Sequence, residues 1–247
     1  MVGENLIIEA KGLLLAGEAH PLDLQLAQRD TLCLIGPDSK RLKHALRTLA
    51  GVEAPHAGEL LLFGRPLAGL DKRSWREQRQ HIGYVAQGAP LLSVLRGLDN
   101  VTLPALYHRR FSRLEAQARA MGLLAELDCR GDIHQLPAYL STLQRLQLAI
   151  ARATILEPAV LFVEEPFHML SIEEQQPVSR YFINSRELRA QVITTHNLSL
   201  VKSTASQVLF IGQQASYHFD SWQTLLSSQI DEVASHLTLY RQQNPLS

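Results

Sequence analysis

Two adjacent carboxylates, Glu164 and Glu165, close the apolar run Val160-Leu161-Phe162-Val163. A run of that kind, entered after Pro158 and left at Pro166, suits a strand buried on both faces of a parallel sheet. The carboxyl edge of such a sheet is where ligands bind. There, one acid can hold a divalent cation or its water shell, and the other can orient or deprotonate a water. The bland alternative is a solvated acidic turn, and the pair alone does not separate the two. Two more polar groups sit at the ends of apolar runs: Gln87 after His81 to Ala86, and His196 after Gln191 to Thr195. Taken singly, each reads as an ordinary surface residue.

The elements that would carry these groups follow from periodicity. LQRLQLAIARATIL places Leu143, Leu146, Ile150 and Ala153 at helical spacing, and Pro158 ends it. Thr31 to Ile35 is another buried strand, followed by a glycine-proline turn and a helix that stops at Gly51. Strand, glycine turn and helix are the setting of a phosphate-binding loop, G-x-x-x-x-G-K-[ST]. GPDSKRLKHALRTLAG keeps the setting and loses the chemistry. Gly36 opens it, but Arg41, Leu42 and Lys43 stand where the second glycine, the lysine and the hydroxyl belong.

Elsewhere, Asn5 to Ala10, Pro21 to Leu26, Gly58 to Phe63, Gln207 to Ile211 and Ser216 to Phe219 read as strands, with a turn at Gly64 to Pro66. Ser74 to Gln80, Phe111 to Asp128 and Glu173 to Leu188 read as helices. In the second of these, Leu114, Ala118, Met121 and Leu124 are expected to face the core. Leu95, Leu98, Val101 and Leu103 are core candidates just before it. In the tail, Leu226, Ile230, Val233, Leu237 and Tyr240 make a stripe on one helix from Ser221 to Tyr240, expected to pack on its own domain.

Composition bounds the answer. The 247 residues suit one large α/β domain, and 46% hydrophobic content allows a sizeable core. With 24 basic and 24 acidic residues, formal charge is zero, which gives no case for nucleic acid. Cys33 and Cys129 have no metal-ligand spacing. No apolar run reaches membrane-spanning length, and MVGENLIIEA lacks a basic leader segment, so a cytoplasmic chain is expected.

In order, LS…Q…AIARA…EP…LF…EEPF resembles the signature helix and Walker B strand of ABC-transporter ATPases. IGYVAQ resembles their Q-loop, HMLSIEEQQ stands in the place of the D-loop, and THNLSL resembles the switch-histidine motif. The likeness runs from about Asn5 to about Leu237. It implies an α/β fold: a RecA-like P-loop NTPase core, an antiparallel β-subdomain and a helical lobe. Residues 1–247 would be a single ABC ATPase domain, with the lobe near 88–152 and a helical tail near 221–242.

By the same resemblance Glu165, His196 and Gln87 are the catalytic candidates, and Gln87 with Glu164 the metal candidates. Gly36, Pro37, Ser39, Lys40, Arg41, Lys43 and His44 would bind ATP with Mg²⁺, joined by Ser141 and Gln144 of the signature. The implied partners are a membrane permease and a second ABC ATPase, in a homodimer or heterodimer. The chain would then be peripheral on the inner face of the membrane, and no nucleic acid is implied.

Departures from the family pattern are concentrated at the site. Thr142 and Leu143 replace the signature glycines, Glu164 replaces the Walker B aspartate, and no aromatic near Leu13 to Gly17 is available to stack on adenine. Lys43 would repel Mg²⁺, or its ammonium would stand in for the ion. Weak or lost hydrolysis is therefore expected, and a soluble, non-catalytic ABC-fold regulator is the rival reading. A repair or translation ATPase is less well supported, because those usually carry two cassettes or long insertions. DNVTLPALY and the tail resemble the ATPases of Mce-type lipid transport, with importers and lipoprotein-release ATPases as the alternatives.

Overall fold

The computed structural model describes residues 6–15, 20–213 and 215–243, with side chains as far as 238. In chain order its strands are β1 (Leu6–Leu14), β2 (Leu22–Ala27), β3 (Thr31–Ile35), β4 (Ala57–Leu62), β5 (Arg65–Pro66), β6 (Ile82–Val85), β7 (Val160–Glu164), β8 (Ala190–Thr194), β9 (Gln207–Ile211) and β10 (Ser216–Phe219). The helices are α1 (Ser39–Leu49), α2 (Lys72–Gln78), α3 (Gly97–Tyr107), α4 (Arg113–Glu126), α5 (Thr142–Thr154), α6 (Ile172–Ser185), α7 (Leu198–Thr204), α8 (Trp222–Leu226) and α9 (Asp231–Gln243).

Among the described residues there are two sheets. An antiparallel one runs β2-β1-β4-β5, and a larger one runs β10-β9-β3-β8-β7-β6. In the larger sheet β9, β3, β8, β7 and β6 are parallel, and β10 pairs back antiparallel on β9. Strands β3, β7 and β8 are buried at every residue, as expected where helices cover both faces. Register does the positioning. Glu164 pairs with Thr194, Leu34 with Thr194, and Val85 with Val163. Residues just past those pairs, namely Gly36, Gln87, Glu165 and His196, therefore leave the sheet at one edge.

Helix α1 lies on the sheet through Leu42, Ala45, Leu46 and Leu49, a stripe at helical spacing that is fully buried. Gly36 must be glycine, because a Cβ there would stand 2.3 Å from the Ile211 carbonyl oxygen. Gly51, at φ +68°, ends the helix as the sequence predicts.

Three expectations are corrected. First, α4 turns a different face inward. Ala116, Ala120 and Leu124 are buried, whereas Leu114 (80% exposed), Ala118 and Met121 (52% exposed) face out. Small residues let α4 approach α3 and α5 closely, so the larger stripe is left outside. Leu103 is likewise exposed. Second, β1 continues four residues past Ala10, where it pairs with β2 and β4 on its two sides. Third, the tail is two helices, not one. Leu225, not Leu226, is buried from α8, and Val233 and Leu237 are buried from α9, with Ile230 packed beside them. The side chain of Tyr240, and Ala16 and Gly17, lie outside the described residues.

The tail therefore contributes to the core, as expected. Truncation before Ser221 should lower the melting temperature, and Leu237→Ala alone should cost about 2–5 kcal/mol. Denaturant or thermal unfolding checks both. Unchanged stability of the truncated chain would refute the packing role.

Candidate functional site

Glu164 is the centre of the sheet edge. Its side chain is 2% exposed, and both oxygens are engaged. Oε1 accepts from the Tyr84 hydroxyl at 2.5 Å. Oε2 accepts from the Gln87 backbone N–H at 3.0 Å and lies 3.3 Å from the Lys43 ammonium. Burial and the bond to Glu164 push the Tyr84 phenol well above its ordinary pKa, so it stays a donor. An exposed ion pair contributes about 0–1 kcal/mol. Here the carboxylate is buried while the ammonium is 48% exposed, so loss of the cation should cost more than in an exposed pair and less than the about 3–5 kcal/mol of a fully buried one.

The glycine-proline loop is short. Only residues 36–38 separate β3 from α1. Asp38 caps the helix: its Oδ1 accepts from the Lys40 N–H at 2.8 Å and the Arg41 N–H at 3.4 Å. An aspartate directly before a helical stripe is a known N-cap signal, and the sequence reading overlooked it. The consequence is chemical. A phosphate-binding loop offers backbone N–H groups to an anion, and here a carboxylate of the same chain takes them. Leu42, in the lysine's position, is 1% exposed and part of the core. The Arg41 guanidinium donates to the Gln213 carbonyl, which ties α1 to the turn between β9 and β10. Pro37 and Lys40 are exposed.

Glu165 follows Glu164 at φ +41°, a left-handed conformation that costs energy outside glycine. Bonds from its N–H to the Thr194 carbonyl and hydroxyl, both 3.1 Å, hold it there. So turned, the carboxylate meets His196: Oε2 accepts from the backbone N–H at 3.3 Å, and Oε1 lies 3.5 Å from Nε2. Nε2 is also 2.8 Å from the Ser39 hydroxyl. Hydroxyl and acid share one ring nitrogen, so Ser39, His196 and Glu165 are not a nucleophilic triad, which needs the acid on Nδ1. Burial raises the Glu165 carboxyl above its usual range, against the pull of His196 and His168, which makes it a stronger proton acceptor than a solvated carboxylate.

Gln87, Glu164, Glu165, His196, Ser39 and Lys43 thus come together. Other candidates do not. His44 points away from the loop: Nδ1 bonds Glu53 Oε2 at 2.6 Å, where Arg47 also binds the same carboxylate. Burial alone would raise the Glu53 carboxyl, but the Arg47 and His44 bonds hold it below its usual value. Ser141 and Gln144 are spent on a capping box at the start of α5, and the Gln144 amide also donates to the Arg130 carbonyl at 2.8 Å. Leu143 is half-buried against the lobe's own core.

Neither ligand that the resemblance implies fits well. A divalent cation at Glu164 would face the Lys43 ammonium and find both carboxylate oxygens taken. A phosphate at the loop would meet the Asp38 carboxylate on the N–H groups of Lys40 and Arg41, and would find Leu42 where the resemblance places the lysine.

The sequence profile of the family described as ABC transporter matches residues 20–168. The chain belongs to the ABC transporter family. Its ATP-binding subunits are the relatives. One is YbbA of Escherichia coli K12, an uncharacterized ABC transporter ATP-binding protein, 31% identical over 72% of this chain and 79% of its own length. Another is LolD of Hydrogenovibrio crunogenus, the ATP-binding protein of a lipoprotein-releasing system, 32% identical over the same shares. In fold, the chain is similar to the dimeric ATP-binding cassette MJ0796 bound to ADP and Pi. The TM-score is 0.78 at 19% identity, covering 87% of this chain and 98% of that one.

Because folding raises the Glu165 pKa, the folded chain binds that proton more tightly than the unfolded one. Stability then falls as pH rises from the unfolded value, about 4.3, through the folded one. Glu165→Gln should therefore melt higher than the wild type at neutral pH, and the gap should close at acidic pH. A variant less stable at neutral pH would contradict this.

Proposed function

We propose that this chain is the ATP-binding-type subunit of a membrane transporter that docks on a permease through its lobe and hydrolyses ATP very slowly or not at all. In this reading residues 1–247 act as one domain, with residues 88–152 as the docking arm. It pairs with a second subunit of its own type, a copy of itself or a different chain.

The carrying observation is Asn100. This fully buried side chain accepts from the Leu92 N–H and donates to the carbonyls of Leu92, Leu95 and Arg96, at 2.8–3.2 Å. It fixes the segment that presents Leu92 (47% exposed) and Val94 (82% exposed) to solvent. Large apolar side chains held rigidly outward are what an interface uses as anchors. Tyr107, Leu114 and Met121 extend the apolar surface of the same lobe. Outside the lobe, a groove of about 480 Å³ is lined by Arg47, Val52, Trp75, Arg79, Ile82 and Tyr84, the last two on the strand that leads to Gln87. Among the described residues no helix is long and apolar enough to cross a membrane, so attachment would come from the partner.

Loss of turnover is supported by Leu42, which removes a charged donor to phosphate, roughly 1.5–3 kcal/mol for one charge-assisted bond. The likeness of residues 99–107 and the tail to lipid-handling ATPases makes a lipid the cargo to test first. LolD is named for releasing lipoproteins, a cargo of related kind.

Two experiments bear on this. Purified chain with Mg²⁺ and ATP should turn over no faster than Glu165→Gln; robust hydrolysis abolished by that substitution would overturn the loss. The double substitution Leu92→Asp with Val94→Asp should release the chain from membranes that contain its permease. Unchanged recruitment would favour the soluble regulator.

A further inference from the structure

The site holds ions of its own, and they stand where a nucleotide and its metal would bring theirs. We infer that Lys43 is a resident cation: its ammonium on Glu164 fixes the end of β7 and the backbone at Gln87 against α1, with or without Mg²⁺ or nucleotide. The inference rests on the transporter-subunit reading above, but it concerns conformation and not turnover.

Three observations carry it. Glu164 is buried, and among the described residues Lys43 is the cation within ion-pair distance. The other donors to Glu164, Tyr84 and the Gln87 N–H, are neutral, and a further cation that acts on it, Arg47, does so at longer range while bound to Glu53. The backbone that carries Lys43 is anchored, because Leu42 and Leu46 hold α1 on the sheet, while its side chain stays 48% exposed. Finally, Gln87 opens the path to the lobe. The guanidinium of Arg152 on α5 donates to the Pro90 carbonyl at 2.7 Å, so the segment just past Gln87 is tied to the lobe's main helix.

The chain of contacts therefore runs from α1 through Lys43, Glu164, Gln87 and Pro90 to α5. In the family pattern the metal and the glutamine side chain would make that link, and it would come and go with nucleotide. Here the Gln87 side chain is exposed, and the link is a backbone N–H on a carboxylate neutralised from within. Asp38 is the matching resident anion at the helix N-terminus. A junction held this way stays closed through the partner's ATP cycle.

The test follows the Gln87 amide in the full-length chain by hydrogen exchange, with the melting temperature alongside, with and without millimolar Mg²⁺ and ATP. In the wild type neither additive should change either readout. Lys43→Ser should speed exchange at Gln87 by at least about tenfold and lower the melting temperature by several degrees. Millimolar Mg²⁺ should then restore part of the protection, since the space and a hydroxyl are now available. Lys43→Arg should keep wild-type protection.

If Lys43→Ser does not fold, Lys43→Met combined with Glu164→Gln removes both charges together. It should fold, ignore Mg²⁺ and protect Gln87 less than the wild type does. Gain of protection by the wild type with Mg²⁺ or ATP would overturn the inference, as would wild-type protection in Lys43→Ser or in the double variant. Fast ATP hydrolysis or indifference of the lobe substitutions would sink the functional reading and leave these amide measurements unaffected.

Discussion

A buried carboxylate must be answered by donors, and the arrangement around Glu164 follows from that requirement. The strand that carries it is buried on both faces, so the side chain cannot escape to solvent without breaking the sheet. Tyr84 and the Gln87 N–H come from the neighbouring strand β6 and its end, and Lys43 comes from the helix that crosses the same edge. One acid thus gathers α1, β6 and β7. Glu165, one residue later, is released into a strained backbone turn and faces His196. Adjacent acids end in opposite circumstances: one neutralised and closed, the other partly desolvated and still able to take a proton.

The same economy of local contacts appears at the loop and at the signature. Asp38 caps α1, and Ser141 with Gln144 caps α5. Both helix starts belong to regions that the family pattern reserves for phosphate. In each, side chains of this chain satisfy the N–H groups that an anion would otherwise attract. The result is a site whose helix starts and whose Glu164 are paired internally, while Glu165 Oε1 is buried with no hydrogen-bond partner among the described residues, on a fold that keeps its strand order and its lobe.

How much of this was legible depended on burial. The strands β3, β7 and β8 could be read because an unbroken apolar run permits few alternatives, and the ends of β7 and β8, with that of β6, placed Glu165, His196 and Gln87 at one edge. Helix α4 could not be assigned a face, because RLEAQARAMGLLAE carries two apolar stripes and the alanine one wins by close approach. Contacts between distant positions were also hidden. Nothing in the loop's spacing announces that His44 will bond Glu53, or that Arg41 will reach Gln213. Leu143 stands where a signature glycine belongs, and a helix that buries Leu146 and Ile150 draws it inward. Lys43 was legible as a charge that repels a metal or replaces it, but Tyr84 as its co-partner was not.

The bond between Lys43 and Glu164 also bears on the history of the site. A serine restored at position 43 alone would strand a buried negative charge, and a lysine restored at 42 would drive an ammonium into the core that Leu42 fills. A glycine at 41 would give up the tie to Gln213, and loss of Asp38 would uncap α1. Each single step back toward a phosphate-binding loop therefore passes through a less stable protein, and only several together would lead out. The loop is interlocked: each of its side chains is held by a contact that a single exchange would break, so changes there are expected to be tolerated only in combination.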